Sequence, residues 1–266
     1  MYKSFYSLTT DPFRKDIKER DAYASASFKE STAALDYLKK TRGMGVIVGE
    51  PGAGKTLALR TFAKNLNPSL YKVVYFPLST GSVMDFYRGL VYELGEEPTY
   101  RKVDLFRQIQ QTVYRFHSER KMTPVFILDE MQLAKDQFFN DISILFNFNM
   151  DSKNPFVLVL AGLPHLLHRL ALNQNRPLAQ RMVMRYKLEA LTKEEVAGYV
   201  GHHMEIAGAR HPIFTEESIE ALASRSRGWP RLVNNLATHA LIYGCQLKKE
   251  QIDAEVIRLA AEELAL

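Results

Sequence analysis

The 266-residue sequence predicts an α/β fold, a largely parallel sheet flanked by helices, followed by a smaller helical unit. Three observations carry that reading. Gly43 to Thr56 runs as a short apolar strand, a glycine-rich loop and the start of a helix. Val125 to Leu128 is an apolar run that ends in the adjacent carboxylates Asp129 and Glu130. Beyond about Leu191 the strand-like runs stop, and four helical stretches follow one another.

Val46 to Val48 form the strand, Gly49 to Thr56 match G-x-x-x-x-G-K-[ST] in full, and Leu57, Leu59, Phe62 and Ala63 continue at helical spacing. Gly49, Gly52 and Gly54 permit backbone torsions that a side chain forbids, so the loop of Gly49, Glu50, Pro51, Gly52, Ala53 and Gly54 through Leu57 can cradle phosphates with every backbone N–H it has, Pro51 supplying none. Lys55 is placed to neutralise the β- and γ-phosphates of ATP, and the Thr56 hydroxyl to take a position on Mg²⁺.

The N-terminus is rich in aromatics, Tyr2, Phe5, Tyr6 and Phe13, and reads as an extended arm with a turn at Asp11-Pro12. Such an arm either closes over an adenine ring or packs on a domain surface. Phe28 to Arg42 reads as an amphipathic helix, Lys72 to Leu78 as a second strand, and Ser79 to Ser82 as the opening of a helix to about Leu94. A further helix covers Val103 to Ser118, entered through the basic turn Arg101-Lys102.

Thr123 to Glu130 reads as a buried parallel strand that delivers its acids to the C-terminal edge, the Walker B pattern. Asp129 then holds Mg²⁺ and Glu130 activates the attacking water. Phe156 to Ala161 is another buried strand, Leu178 to Met184 a short helix and Arg185 to Leu191 a last strand. The domain division expected is 1–190 for the α/β unit with its arm and 191–266 for the helical unit. Thr192 to Glu195 is a capping box, Gly228 and Gly244 read as helix stops, and four helices result.

Cys245 is the only cysteine, which excludes an internal disulfide and a thiolate metal cage. His165, His168, His202 and His203 lack convergent carboxylates or thiols and argue for no zinc site. No secretory leader or bilayer-length apolar run is present, so no membrane partner and a cytoplasmic location are expected. The net charge of +5 is compatible with a polyanionic partner. Between Asp151 and Glu189 every charged side chain is basic.

With Gly-Trp-Pro-Arg at 228–231 following the α/β unit, the chain resembles an AAA+ P-loop NTPase with a C-terminal helical lid, and Arg231 matches the sensor-2 arginine. The opening Phe-Tyr-Ser-Leu-Thr-Thr-Asp-Pro-Phe, the strand Phe-Ile-Leu-Asp-Glu-Met-Gln and the run Leu-Ala-Gln-Arg-Met-Val-Met-Arg-Tyr are similar to the ExeA-like and TniB/TnsC/MuB-like ATPases. The resemblance implies an ATPase that forms a ring or helical filament of identical subunits on double-stranded DNA. Its further partners would be a DDE transposase and a target-selector protein.

The resemblance also makes Arg181 the arginine finger, with Arg185 as fallback, and places Ser82, Arg101 and Lys102 on DNA phosphates. Solvated basic turns are the alternative for the last three. The usual polar sensor-1 position falls on Leu163, and slow hydrolysis is expected from that departure. An ExeA-like secretion ATPase is the alternative, disfavoured by a chain that ends at Leu266 without a membrane helix or periplasmic domain. A small-molecule kinase is a third reading, for which no acceptor lid is found between Gly81 and Arg120.

Overall fold

A computed structural model describes residues 1–77 and 82–265. The chain divides into two compact units: Glu30–Glu50 with Lys55–Leu188, and Met1–Lys29 with Pro51–Gly54 and Glu189–Leu266. Its first element, the single turn α1 (Tyr2–Phe5), belongs to the second of these.

The α/β unit carries α2 (Ala26–Thr41), β1 (Gly43–Val48), α3 (Lys55–Lys64), β2 (Tyr71–Pro77), α4 (Val83–Glu93), α5 (Lys102–Ser118) and β3 (Thr123–Asp129), then α6 (Asp136–Leu145), β4 (Val157–Gly162), α7 (His165–Ala171), α8 (Arg176–Gln180) and β5 (Met182–Lys187). The strands pair in parallel in the order β2-β3-β4-β1-β5. Every residue of β1, β3 and β4 is buried. Strands covered on both faces have no solvent side, which is why their sequences are continuous apolar runs without alternation. The register pairs Val48 with Gly162 and Leu128 with Leu160. The loops leaving β1, β3 and β4 therefore emerge at one sheet edge.

Two readings of this region are corrected. The expected helix over Leu178–Met184 ends at Gln180, and β5 begins at Met182. Met182 and Met184 are buried while Val183 and Arg185 are exposed, so a period of two prevails. Helices α6 and α7 were not anticipated. Phe138, Phe139, Ile142 and Leu145 line the buried side of α6. Leu78 and the helix opening at Ser79–Gly81 lie outside the described residues.

The helical unit holds α9 (Lys193–Ile206), α10 (Glu216–Ser226), α11 (Pro230–Gln246) and α12 (Ala254–Glu263). The Thr192–Glu195 capping box forms in both directions, at 3.2 and 3.1 Å. Gly244 does not stop a helix, because α11 continues through it to Gln246. A Cβ at Gly244 would stand 2.3 Å from both Tyr6 Oη and Ile252 Cδ1. The glycine is a notch for the N-terminal arm.

Of the two readings of the arm, packing on a domain surface is seen: its apolar side chains are part of the helical unit's core. Tyr6, Leu8 and Phe13 are buried in one cluster with Val196, Leu236 and Ile257. Tyr6 Oη donates to the Lys249 carbonyl at 3.0 Å, and Thr9 donates to the Ala207 carbonyl through its N–H at 2.8 Å and its hydroxyl at 2.9 Å. The arm thus groups with residues 189–266 rather than with the α/β unit. Burial of these side chains, each contributing about 1.5–3 kcal/mol, together with the backbone hydrogen bonds, offsets part of the cost of ordering the segment.

His203 sits under this arm, with Nδ1 2.9 Å from the Pro12 carbonyl and its ring against Phe13 and Tyr199. Burial lowers its pKa from 6.5 to about 4, which the Pro12 hydrogen bond only partly opposes. The unfolded chain takes up the proton first. Stability is therefore full above the unfolded value and declines as pH falls towards the folded one, by about 2 kcal/mol on reaching pH 5. Thermal melting from pH 7.5 to 5 should show this decline, and His203→Gln should flatten it; equal pH slopes for the two proteins would exclude His203 as its source.

Candidate active site

The glycine-rich loop leaves β1 with the Gly49 N–H donating to the Gly162 carbonyl at 3.2 Å, which ties it to the end of β4. Gly52 and Gly54 take φ of +82° and +100°, conformations a side chain would strain. Helix α3 begins at Lys55, and the Lys55 ammonium folds back to donate to the Gly49 carbonyl at 2.6 Å and the Glu50 carbonyl at 3.1 Å. Among the described residues, chain neighbours apart, none comes within 4 Å of where a Gly54 Cβ would stand. An open loop of this torsion pattern, with a cation and a helix N-terminus at its mouth, fits a polyphosphate. Thr56, in the first turn of α3, is exposed.

The loop tip, Pro51–Gly54, groups with the helical unit. Within that unit Arg231, the second residue of α11, lies against Gly52, where a Cβ would come 2.3 Å from Arg231 Cβ. The glycine is needed there for space as well as for torsion.

Asp129 ends β3 and is 3 % exposed, with Oδ1 accepting from the Glu130 N–H at 2.8 Å and Oδ2 from the Tyr75 hydroxyl at 3.2 Å. Burial, then the charge and hydrogen bond of Asp129, push the Tyr75 pKa up to about 12, so the phenol remains a donor to the carboxylate. Glu130 adopts φ +57°, turning the chain sharply out of the strand. Its Oε2 accepts from Gln132 Nε2. A buried carboxylate with both oxygens held in orientation suits Mg²⁺, and the exposed carboxylate after it suits a base. Tyr75 belongs to no local motif, and Gln132, although it closes the Phe126–Gln132 run noted in the sequence, was given no role there.

The other expected site residues are placed differently. Arg181 is 15 % exposed, and its guanidinium donates to the Ser143 carbonyl at 2.9 Å and the Phe146 carbonyl at 2.7 Å while pairing with Asp151 at 2.6 Å. Those carbonyls belong to the C-terminal end of α6, so Arg181 caps a helix of its own chain. Arg185 is exposed on β5 and donates to the Ala179 carbonyl at 2.5 Å.

Lys102 turns inward: its ammonium is 2.5 Å from Asp141, whose side chain is 8 % exposed, and lies over the Tyr87 ring. It pairs with a buried carboxylate while its own side chain stays 42 % exposed. Ser82 closes a capping box with Asp85, which places an acid in the first turn of α4. Arg101 is exposed at the N-terminus of α5.

No helix among the described residues is long and apolar enough to cross a membrane. Residues 38–170 match the family described as AAA domain. The whole chain is 29 % identical to General secretion pathway protein A of Aeromonas hydrophila, of which it spans 49 %. Among solved structures it resembles Cdc6p from Pyrobaculum aerophilum, with a TM-score of 0.70 at 15 % identity over 96 % of this chain and 71 % of that one. Drosophila ORC bound to DNA gives a TM-score of 0.70 at 14 % identity over 100 % and 66 %. The Thermotoga maritima RuvB branch migration motor gives 0.56 at 18 % over 90 % and 68 %. With the family match covering half its length and the parallel sheet shared with these structures, the chain belongs to the AAA domain family, as a P-loop nucleoside triphosphatase of the AAA+ type.

Proposed function

We propose that the protein binds and hydrolyses ATP and uses that cycle to assemble with copies of itself on duplex DNA, as a regulator of transposition. The observation that carries the ATPase reading is the meeting of two motifs at one sheet edge: the loop leaving β1 with Lys55, and the Asp129–Glu130 pair ending β3, with β4 between the strands. Lys55 and the loop amides bind the phosphates, Thr56 and Asp129 hold Mg²⁺, and Glu130 takes a proton from the attacking water. Mg²⁺ supplies charge neutralisation on the phosphate oxygens. Arg231, matched in sequence to the sensor-2 arginine, is the residue of this reading that responds to bound nucleotide.

The trans-acting arginine is assigned to Arg185, because Arg181 is spent on α6. DNA phosphates meet Arg101, in contacts that are salt-sensitive and indifferent to sequence. A DDE transposase and a target selector are the partners of this reading, and the cytoplasm its setting. A second reading is a secretion-associated ATPase, favoured by the similarity to General secretion pathway protein A along the whole chain.

Electron microscopy with duplex DNA, comparing a slowly hydrolysed ATP analogue with ADP, separates the two. Regular assemblies on DNA with the analogue, absent for Lys55→Ala, are the expected result. ATP turnover without any assembly on DNA overturns the transposition reading in favour of secretion. No nucleotide binding at all overturns both.

A further inference from the structure

Strand β4 ends at Gly162-Leu163-Pro164, which brings no polar side chain to the edge where Glu130 stands. A different residue reaches that place. Gln132, in the turn after β3, donates from Nε2 to Glu130 Oε2 and accepts at Oε1 from the Leu163 N–H at 3.1 Å. A backbone N–H only donates, so the oxygen end of the amide must face β4 and the NH₂ end must face Glu130. One amide hydrogen serves Glu130; the second is left for another acceptor.

The surroundings hold this side chain in place. The Gln132 carbonyl accepts from Arg169 Nη1 at 3.0 Å, and Arg169 Nη2 donates to Asp136 Oδ1 at 2.7 Å. A Cβ at Gly162 would stand 2.7 Å from Gln132 Oε1, so the glycine keeps the slot open. A donor fixed in advance needs no reorganisation when charge develops, which is where such groups gain their effect.

We propose that Gln132 is the positioning residue for hydrolysis: it orients the Glu130 carboxylate and offers its second amide hydrogen to the attacking water, the task Leu163 cannot perform. This rests on the ATPase reading. The apolar residue at the end of β4 then contributes only its backbone, as the anchor of the glutamine.

The test compares ATP turnover and binding of a fluorescent ATP analogue in the unaltered protein, Gln132→Ala, Gln132→Leu, and Gln132→Ala combined with Leu163→Asn. Both single variants should lose about 10- to 100-fold in kcat. Their KM for ATP and analogue Kd should stay within about twofold, since the phosphate loop is untouched. The added asparagine should recover part of the loss. Unchanged kcat, loss of analogue binding in parallel with turnover, or no recovery in the double variant overturns the proposal while leaving the ATPase reading intact. Absence of turnover in the unaltered protein overturns that reading itself, and this inference with it.

Discussion

Glu130→Gln lowers ATP turnover by about 10²- to 10³-fold while ATP binding survives. The carboxylate is exposed at the end of β3, with one oxygen held by Gln132 and the other available to take a proton from water. A carboxamide keeps the shape and still accepts from Gln132 Nε2, but it is no base. Lys55, Thr56 and Asp129 are unchanged, so the variant should accumulate with ATP bound. Rapid-quench turnover and retained nucleotide on a desalting column measure the two halves of this expectation. Turnover equal to that of the unaltered protein would remove Glu130 from the hydrolytic step.

Arg181→Ala destabilises the α/β unit by about 3 kcal/mol. Its guanidinium makes two charge-assisted hydrogen bonds to the α6 end, each worth about 1.5–3 kcal/mol. The half-exposed Asp151 partner adds little through solvent. Truncation leaves the Ser143 and Phe146 carbonyls without their donor at the end of an apolar helix. Denaturant unfolding would read the loss directly, and Arg181→Lys should restore only part of it, because an ammonium lacks the planar fork. If Arg181 were instead a finger inserted into a neighbouring subunit, the variant would keep its stability and lose turnover.

How far the sequence discloses the site depends on how local each task is. Lys55, Thr56 and the loop glycines sit within eight positions because a strand, a tight turn and a helix start must follow in immediate succession, and that succession is written in order. Asp129 and Glu130 end an apolar strand, so their place at the sheet edge follows from the strand itself. Gln132 and Leu163 are 31 residues apart and meet only because β3 and β4 are neighbours. Lys102 and Arg181 read as surface cations because their partners, Asp141 and the α6 carbonyls, lie on a helix that was not recognised. That helix was legible: Phe138, Phe139, Ile142 and Leu145 recur at helical spacing. Gly244 shows the opposite failure, where a residue that usually ends helices is retained inside one for the room it leaves.

The pairing of Tyr6 with Lys249 spans 243 residues of sequence. On the ribosome the aromatic arm emerges ahead of α9 to α12, and Tyr6, Leu8 and Phe13 stay uncovered until those helices have followed it out. Such distant closure is slow, and apolar residues uncovered during synthesis invite association with other chains or with chaperones. Shortening the arm would then remove a hazard of biosynthesis and a piece of the finished core in the same stroke.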